Sequence, residues 1–243
     1  MNRYLLLRLD APLLAFGGEA IDNYGVIRPF PAKSMITGML ANALGIERNE
    51  APKLQALQDS LVVGSRVTGR LSSTRDFQTA KISKNDQGWT TRARVEGRGS
   101  SAASYTGPHL RYRDYWPDAG ATVVLGLNDS RSSEVAAIKK ALEYPARPLF
   151  LGRKCCIPSG FILNEEVTAL SLFHALIMDW EANNRQLSRL QWPAPETGEE
   201  PSRFLEAFRY FRLEPICDER NWITGVHAGH RLVHMLEAGP KVQ

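Results

Sequence analysis

No run of eighteen or more apolar residues occurs in the chain, which excludes an ordinary membrane-spanning helix. The opening stretch, MNRYLLLRLDAPLLAF, lacks the long apolar region and small-residue cleavage site of a secretory leader. A cytoplasmic location with no membrane partner is therefore expected. Cysteine is scarce: Cys155, Cys156 and Cys217 are odd in number, and an adjacent pair does not make the knuckle that a C-x-x-C pair makes. They read as buried or idle thiols, neither a disulfide framework nor a zinc site. No cofactor motif appears, and nothing supplies the nucleophile that a small acyl- or nucleotide-binding enzyme would need.

What is present suffices for a sizeable core: 243 residues, 43% of them hydrophobic, fit one large domain or two small ones. The net charge is only +4, but it is unevenly placed. Arg75, Lys81, Lys84, Arg92, Arg94, Arg98, Arg111 and Arg113 stand against Asp76, Asp86 and Glu96, an excess larger than that of the whole chain. A single basic lobe is the feature that calls for a partner.

The pattern of elements gives that lobe a frame. YLLLRLDAP (4–12) reads as a strand ended by Pro12, and KSMITGMLANALG as a helix, with apolar residues on one face and Gly45 as its C-terminal cap. A helix at 54–61, a strand in LVVGSRVTG, a strand over 121–127, a helix over 130–144 and a final strand and turn in RPLFLGRKCCIP follow. This is the order of a ferredoxin-like split βαβ unit with about fifty residues inserted between its second and third strands. The expected class is α+β: a palm over 1–67 and 121–158, a basic insertion over 68–120, and a smaller C-terminal subdomain over 159–243. That last part has a helix over 170–190, a proline-rich acidic linker at 192–202, and strand-like or mixed apolar patterns in RFLEAFRYFRLEPI and HRLVHMLEA.

Arginine pairs bidentately with phosphate and stacks on bases, and aromatic rings stack on unpaired bases, so the insertion suits single-stranded nucleic acid. In LRYRDYW a strand places Arg111 and Arg113 on one face and Tyr112 with Trp116 on the other. Glycine and serine at 97–104 let a ligand come close to the backbone. Arg28, Lys33 and Ser34 stand before or at the start of the first helix, where free backbone N–H groups favour an anion. ARPLFLGRK carries Arg147, Arg153 and Lys154 around Phe150.

YLLLRLDAPLLAFG, RPFPAKSMITGMLANALGIER, STRDFQTA, RYRDYW and YPARPLFLGRKCC, in this order, resemble the CasD family, RAMP-superfamily subunits of the type I-E CRISPR surveillance complex Cascade. The resemblance is nearly gapless over the first sixty residues, returns in blocks to about Pro158, and is faint beyond. It implies a RAMP- or RRM-like palm with a protruding β-rich thumb, a non-catalytic role in holding the 5′ handle of the guide RNA (crRNA), and docking to the backbone subunit CasC and the large subunit CasA. Target DNA would be met through the complex. Carried onto this sequence, Lys33, Arg113, Phe150 and Lys154 become handle contacts, with Arg75 at the thumb's root. Relatives carry arginine directly before F-P where this chain has Pro29, with Arg28 one place earlier. Phe150 can stack but has no hydroxyl to donate.

The competing reading is a metal-independent endoribonuclease, for which His109 is the only histidine in the basic lobe. His227, His230 and His234 have spacings that invite a metal, but Gly225 and Gly229 argue against a helix there, and these histidines read as structural.

Overall fold

The structure is a computed structural model that describes residues 1–18, 23–69, 72–81, 88–89, 95–96, 108–128, 132–194, 208–227 and 229–239. Its centre is a seven-stranded sheet. Strand β1 (Asn2–Asp10) lies between β10 (Leu163–Ala169) and β9 (Gly120–Leu127), and β9 pairs on its far side with β4 (Leu61–Thr68). These neighbours are all antiparallel. Beyond β4 the sheet continues through β11 (Ser188–Pro193), β13 (Arg231–Ala238) and β12 (Phe208–Ile216).

Both faces of the central strands are buried, which is why they read as unbroken apolar runs rather than as an alternation. Leu5, Leu7 and Leu9 of β1, with Val123 and Leu125 of β9, pack on one side against helices α1 (Lys33–Leu44) and α3 (Ser132–Glu143). Tyr4, Leu6 and Val124 point the other way, against Leu172, Leu176 and Trp180 of α4 (Leu172–Ala182). Gly64 on β4 permits that approach, since a Cβ there would lie 2.3 Å from Leu172 Cδ2. Helix α1 ends as its sequence predicts, with Gly45 at φ 77° and the Ile46 amide donating to Ala41 O. Helix α2 (Ala51–Ser60) follows.

The smaller sheet is built on β8 (His109–Pro117). It pairs antiparallel with β5 (Thr74–Ala80) and with β2 (Leu13–Leu14), and in parallel with β3 (Tyr24–Gly25). Two short strands, β6 (Gly88–Trp89) and β7 (Val95–Glu96), pair with each other. Arg92, Arg94, Arg98 and the glycine–serine stretch at 97–104 lie outside the described residues, as does most of the proline-rich linker.

Two expectations need correction. RPLFLGRKCCIP is not a strand: Leu149, Leu151 and Cys156 serve as core plugs on a turn, and the strand beside β1 is β10, whose LNEEVTA has no apolar run to advertise it. The helix expected over 170–190 stops at Ala182, where Asn184 and Arg185 adopt φ 58° and 50°, and the chain turns into β11. The C-terminal strands β11, β13 and β12 extend the central sheet. Among the described residues no helix is long and apolar enough to cross a membrane.

Candidate nucleic-acid interface

Between α1 and two loops runs a groove of about 620 Å³. One wall is the 147–153 turn and the other is the 220–227 loop of the C-terminal region. Among the described residues its charged lining consists of Arg48, Arg147, Arg153 and Arg220, with His227 beside them and no carboxylate.

The manner in which these arginines are held decides what the groove can do. Arg147 donates to Ile46 O and Gly45 O, both at 3.1 Å, and so caps the C-terminal end of α1, where carbonyls and the helix dipole favour a cation. Arg153 donates to Asp114 O and Gly25 O, both at 2.8 Å, and lies 4.7 Å over the Tyr115 ring. Arg220 donates to Gly225 O at 2.8 Å. Every one of these partners is a carbonyl, so the guanidinium groups are fixed in place with their charge uncancelled by a bonded anion. The acids within electrostatic reach of Arg147 and Arg153, Glu50 and Asp114, are themselves engaged by Lys53 and Arg75.

The 147–153 turn is pinned by backbone. Ala15 N donates to Leu151 O, Leu151 N to Cys156 O and Cys156 N to Arg153 O. Gly152 stands at φ 93°, and a Cβ there would lie 1.8 Å from Ala15 O. Burial pushes the Cys156 thiol up to about 11, so it is a filler rather than a nucleophile. Burial also raises the Tyr115 hydroxyl, whose oxygen lies 3.5 Å from Cys155 Sγ.

The opposite wall is held by Gln58, only 2% exposed. Its amide nitrogen donates to Arg220 O, and its carbonyl oxygen accepts from Arg220 N and from the Trp222 indole at 3.1 and 3.0 Å. Burial, and then the charge of Arg48, lower the pKa of Arg220, and its buried Nε has no hydrogen-bond partner. The guanidinium lies 5.4 Å from the Trp222 ring centre. A buried guanidinium with a second cation beside it is favoured when an anion enters.

Of the residues singled out in the sequence, Ser34, Arg147, Phe150 and Arg153 line the groove. Arg113 is close by: a Cβ on Gly25 would lie 2.6 Å from Arg113 Nη1 and 2.8 Å from Arg153 Nη2, so the missing side chain lets two guanidinium groups converge. Among the described residues the Arg113 side chain has no hydrogen-bond partner. Lys154 is exposed at the turn, and Arg111 reaches only Leu110 O. Arg75 is held by Asp114 at 2.7 and 3.1 Å, and Tyr112 lies among rings on the other face of β8.

The start of α1 is not the open anion site that its sequence suggests. The chain supplies its own anion there: Asp218, 1% exposed, accepts from Lys33 N at 3.0 Å, and its backbone carbonyl accepts from Ser34 N. Arg231 holds the same carboxylate at 2.7 and 2.8 Å. Lys33 Nζ pairs with Glu219 at 2.8 Å, and Arg28 donates to Cys217 O at 2.6 Å. These two cations thus tie the C-terminal segment to α1.

Arg48, Arg220 and Trp222 carry no assignment from the sequence, and His227, expected there to be structural, joins them in the groove lining. Arg48 sits in LGIER, and Arg220 with Trp222 in a polar stretch whose neighbours give no period. Only the tertiary fold brings them to α1. His109 pairs with Ala80 across the small sheet and is not in the groove lining, whereas His227, with Nδ1 at 3.0 Å from Glu219 O, is. Among the described residues no cluster of histidine, cysteine and carboxylate could hold a metal.

Comparison with known proteins gives a consistent result. The family model described as CRISPR-associated protein (Cas_Cas5) matches residues 4–211. The CRISPR system Cascade subunit CasD of Escherichia coli (strain K12) is 29% identical over 156 residues, 64% of this chain and 67% of that protein. A chain of a CRISPR RNA-guided surveillance complex superposes with a TM-score of 0.65 at 18% identity, covering 97% of this chain and 90% of its own. The crystal structure of a Cas protein superposes at 0.57 and 23% identity, covering 97% and 95%.

Proposed function

The chain belongs to the Cas5 family of CRISPR-associated proteins, and from that premise we propose that it is a non-catalytic, RNA-binding subunit of a Cascade-type surveillance complex. In this reading it caps the 5′ handle of the crRNA, docks CasC-like and CasA-like subunits, and meets target DNA through the assembly. The strand order β10-β1-β9-β4, which is 4-1-3-2 in chain order, supports a ferredoxin-like palm over 1–67 and 121–158 whose fourth strand, β10, comes from beyond that range. The β5–β8 arm supports a thumb over 68–120, and 159–243 would be a C-terminal part that completes the sheet and one groove wall.

The observation that carries this reading is the groove in which Arg147, Arg153 and Arg220 are held by carbonyls only, with Arg48 and Arg113 adjoining. Rigid, uncancelled guanidinium groups fit a phosphodiester chain, and Phe150 offers a ring to a base. Lys33 and Arg28 would join the RNA only by exchanging their present partners, while Lys154 is free to do so.

Fluorescence anisotropy with a CRISPR-repeat RNA across a salt series tests the proposal. About five phosphate contacts give a log–log slope near −3.5, from ~0.7 per contact. A slope near zero would falsify it. The same RNA incubated in EDTA tests the endoribonuclease reading: discrete products that vanish in His227→Ala or His109→Ala would replace the scaffold by an enzyme.

A further inference from the structure

On the face of β8 opposite Arg111 and Arg113, three rings from three adjacent strands stand in a row. Tyr24 of β3 stacks on Tyr112 of β8 with centroids 5.0 Å apart and planes 12° apart. Tyr112 in turn meets Phe77 of β5 at 5.5 Å and 53°. Arg75, two residues before Phe77 on the same face, lies 5.6 Å from the Tyr24 centroid and is fixed there by its two bonds to Asp114. That pairing holds the Asp114 carboxyl below the usual carboxylate range.

The row is not part of a core. Phe77 is 55% exposed, Tyr24 is 43% exposed, and Leu110 beside them is exposed too. Every residue of β5 is exposed. Rings ordered against one another on a solvent-facing sheet give a preformed surface whose side-chain entropy is already spent before a ligand arrives.

We propose that Tyr24, Tyr112 and Phe77 form a stacking platform for unpaired nucleobases of single-stranded nucleic acid, on the opposite face of the small sheet from Arg113 and Arg153. This rests on the reading of the chain as an RNA-binding subunit and adds to it a contact of a different physical kind. Charge selects this occupant: the segment from Arg75 to Arg113 carries eight basic residues against three acidic ones, which favours a polyanion. Arg75 itself is neutralised by Asp114, so on this face it acts as a flat plate over Tyr24 rather than as a phosphate clamp. Every base has a π-face, so the platform tolerates sequence, and it contributes affinity without releasing counterions.

The two kinds of contact are thereby separable in one experiment. Full-length protein is titrated with a single-stranded RNA carrying 2-aminopurine at successive positions, and with an abasic oligomer of equal length, across a salt series. Tyr24→Ala combined with Phe77→Ala is expected to weaken RNA binding roughly tenfold, within the range for losing one or two stacked bases. It should abolish 2-aminopurine quenching, leave the salt slope unchanged, and not alter binding of the abasic oligomer. Phe77→Tyr should restore quenching. In parallel, Arg48→Ala with Arg220→Ala should flatten the salt slope and weaken both oligomers. Retention of full RNA affinity and quenching by the ring variant overturns the platform while leaving the groove standing. Retained RNA affinity with loss of co-purifying protein subunits also overturns it, by making the face a protein contact. Absence of RNA binding by the unmodified protein removes the groove and the platform together.

Discussion

Arg66 and Arg153 are both arginines fixed by several hydrogen bonds, yet they are fixed for opposite ends. Arg66, on β4, is 4% exposed and donates from Nε to Asp179 Oδ2 at 2.5 Å, with Thr68 and Thr122 hydroxyls taking its other nitrogens. Its charge is cancelled by a carboxylate on α4, and the pair ties that helix to the sheet. Arg153 is held by two carbonyls and a ring, which orient it but leave its charge in place. The first arrangement satisfies the fold within itself. The second keeps an electrostatic demand for something outside the chain.

That contrast can be broken from either side. Asp179→Ala leaves Arg66 as a buried cation without its carboxylate and should cost about 3–5 kcal/mol of stability, the largest effect expected here, read as a fall in the urea midpoint. The fraction that remains folded should bind RNA with unchanged affinity. Arg153→Lys tests the other side: an ammonium cannot bridge two carbonyls and lie flat on Tyr115, so a loss of about 1.5–3 kcal/mol in RNA binding is expected, with a fall in the urea midpoint smaller than that of Asp179→Ala. Equal losses in both measurements would place Arg153 with Arg66 as a structural arginine.

Smaller changes sharpen the picture. Arg48→Ala should reduce the salt slope by ~0.7, the share of one phosphate contact, in a salt-dependent anisotropy series. The smallest effect concerns His234, which packs 5.2 Å from Trp192 and whose pKa is lowered by burial from 6.5. The unfolded chain therefore takes up the proton first. The contribution of this histidine is fully present above pH 6.5 and declines as pH falls from there toward the folded-state value. His234→Gln should flatten thermal stability against pH in that window, and an unchanged profile would assign the dependence to another group.

Much of the frame was legible because local and tertiary demands agree in it. β1, β4 and β9 are apolar runs that the fold buries on both faces, and α1 has both its apolar stripe and a glycine that can adopt the left-handed conformation its end requires. β10 was not legible, because one edge strand over LNEEVTA can rest on β1 with little apolar content of its own. RPLFLGRKCCIP misled for the converse reason: its apolar residues plug the core from a turn. The site divides in the same way. Arg147, Phe150 and Arg153 share one local stretch and were found together, whereas Arg220 and Trp222 are held in place by Gln58 and Gln55 of α2, an association that spans more than 160 positions. Asp218 likewise answers the start of α1 from across the chain, so an end that looks vacant in the sequence is filled in the fold.

Gly152 sets a limit on how this surface can change. Its alpha carbon is seated against the main chain of Ala15 so closely that no side chain of any size fits, and its torsion is one that other residues resist. Positions 150, 153 and 154 can therefore be exchanged during diversification or engineering while the bend that presents them stays where it is. Selectivity can drift here without the scaffold following, and a saturation library across the bend, selected for folding, should retain Gly152 and the buried Leu151 while positions 150, 153 and 154 vary.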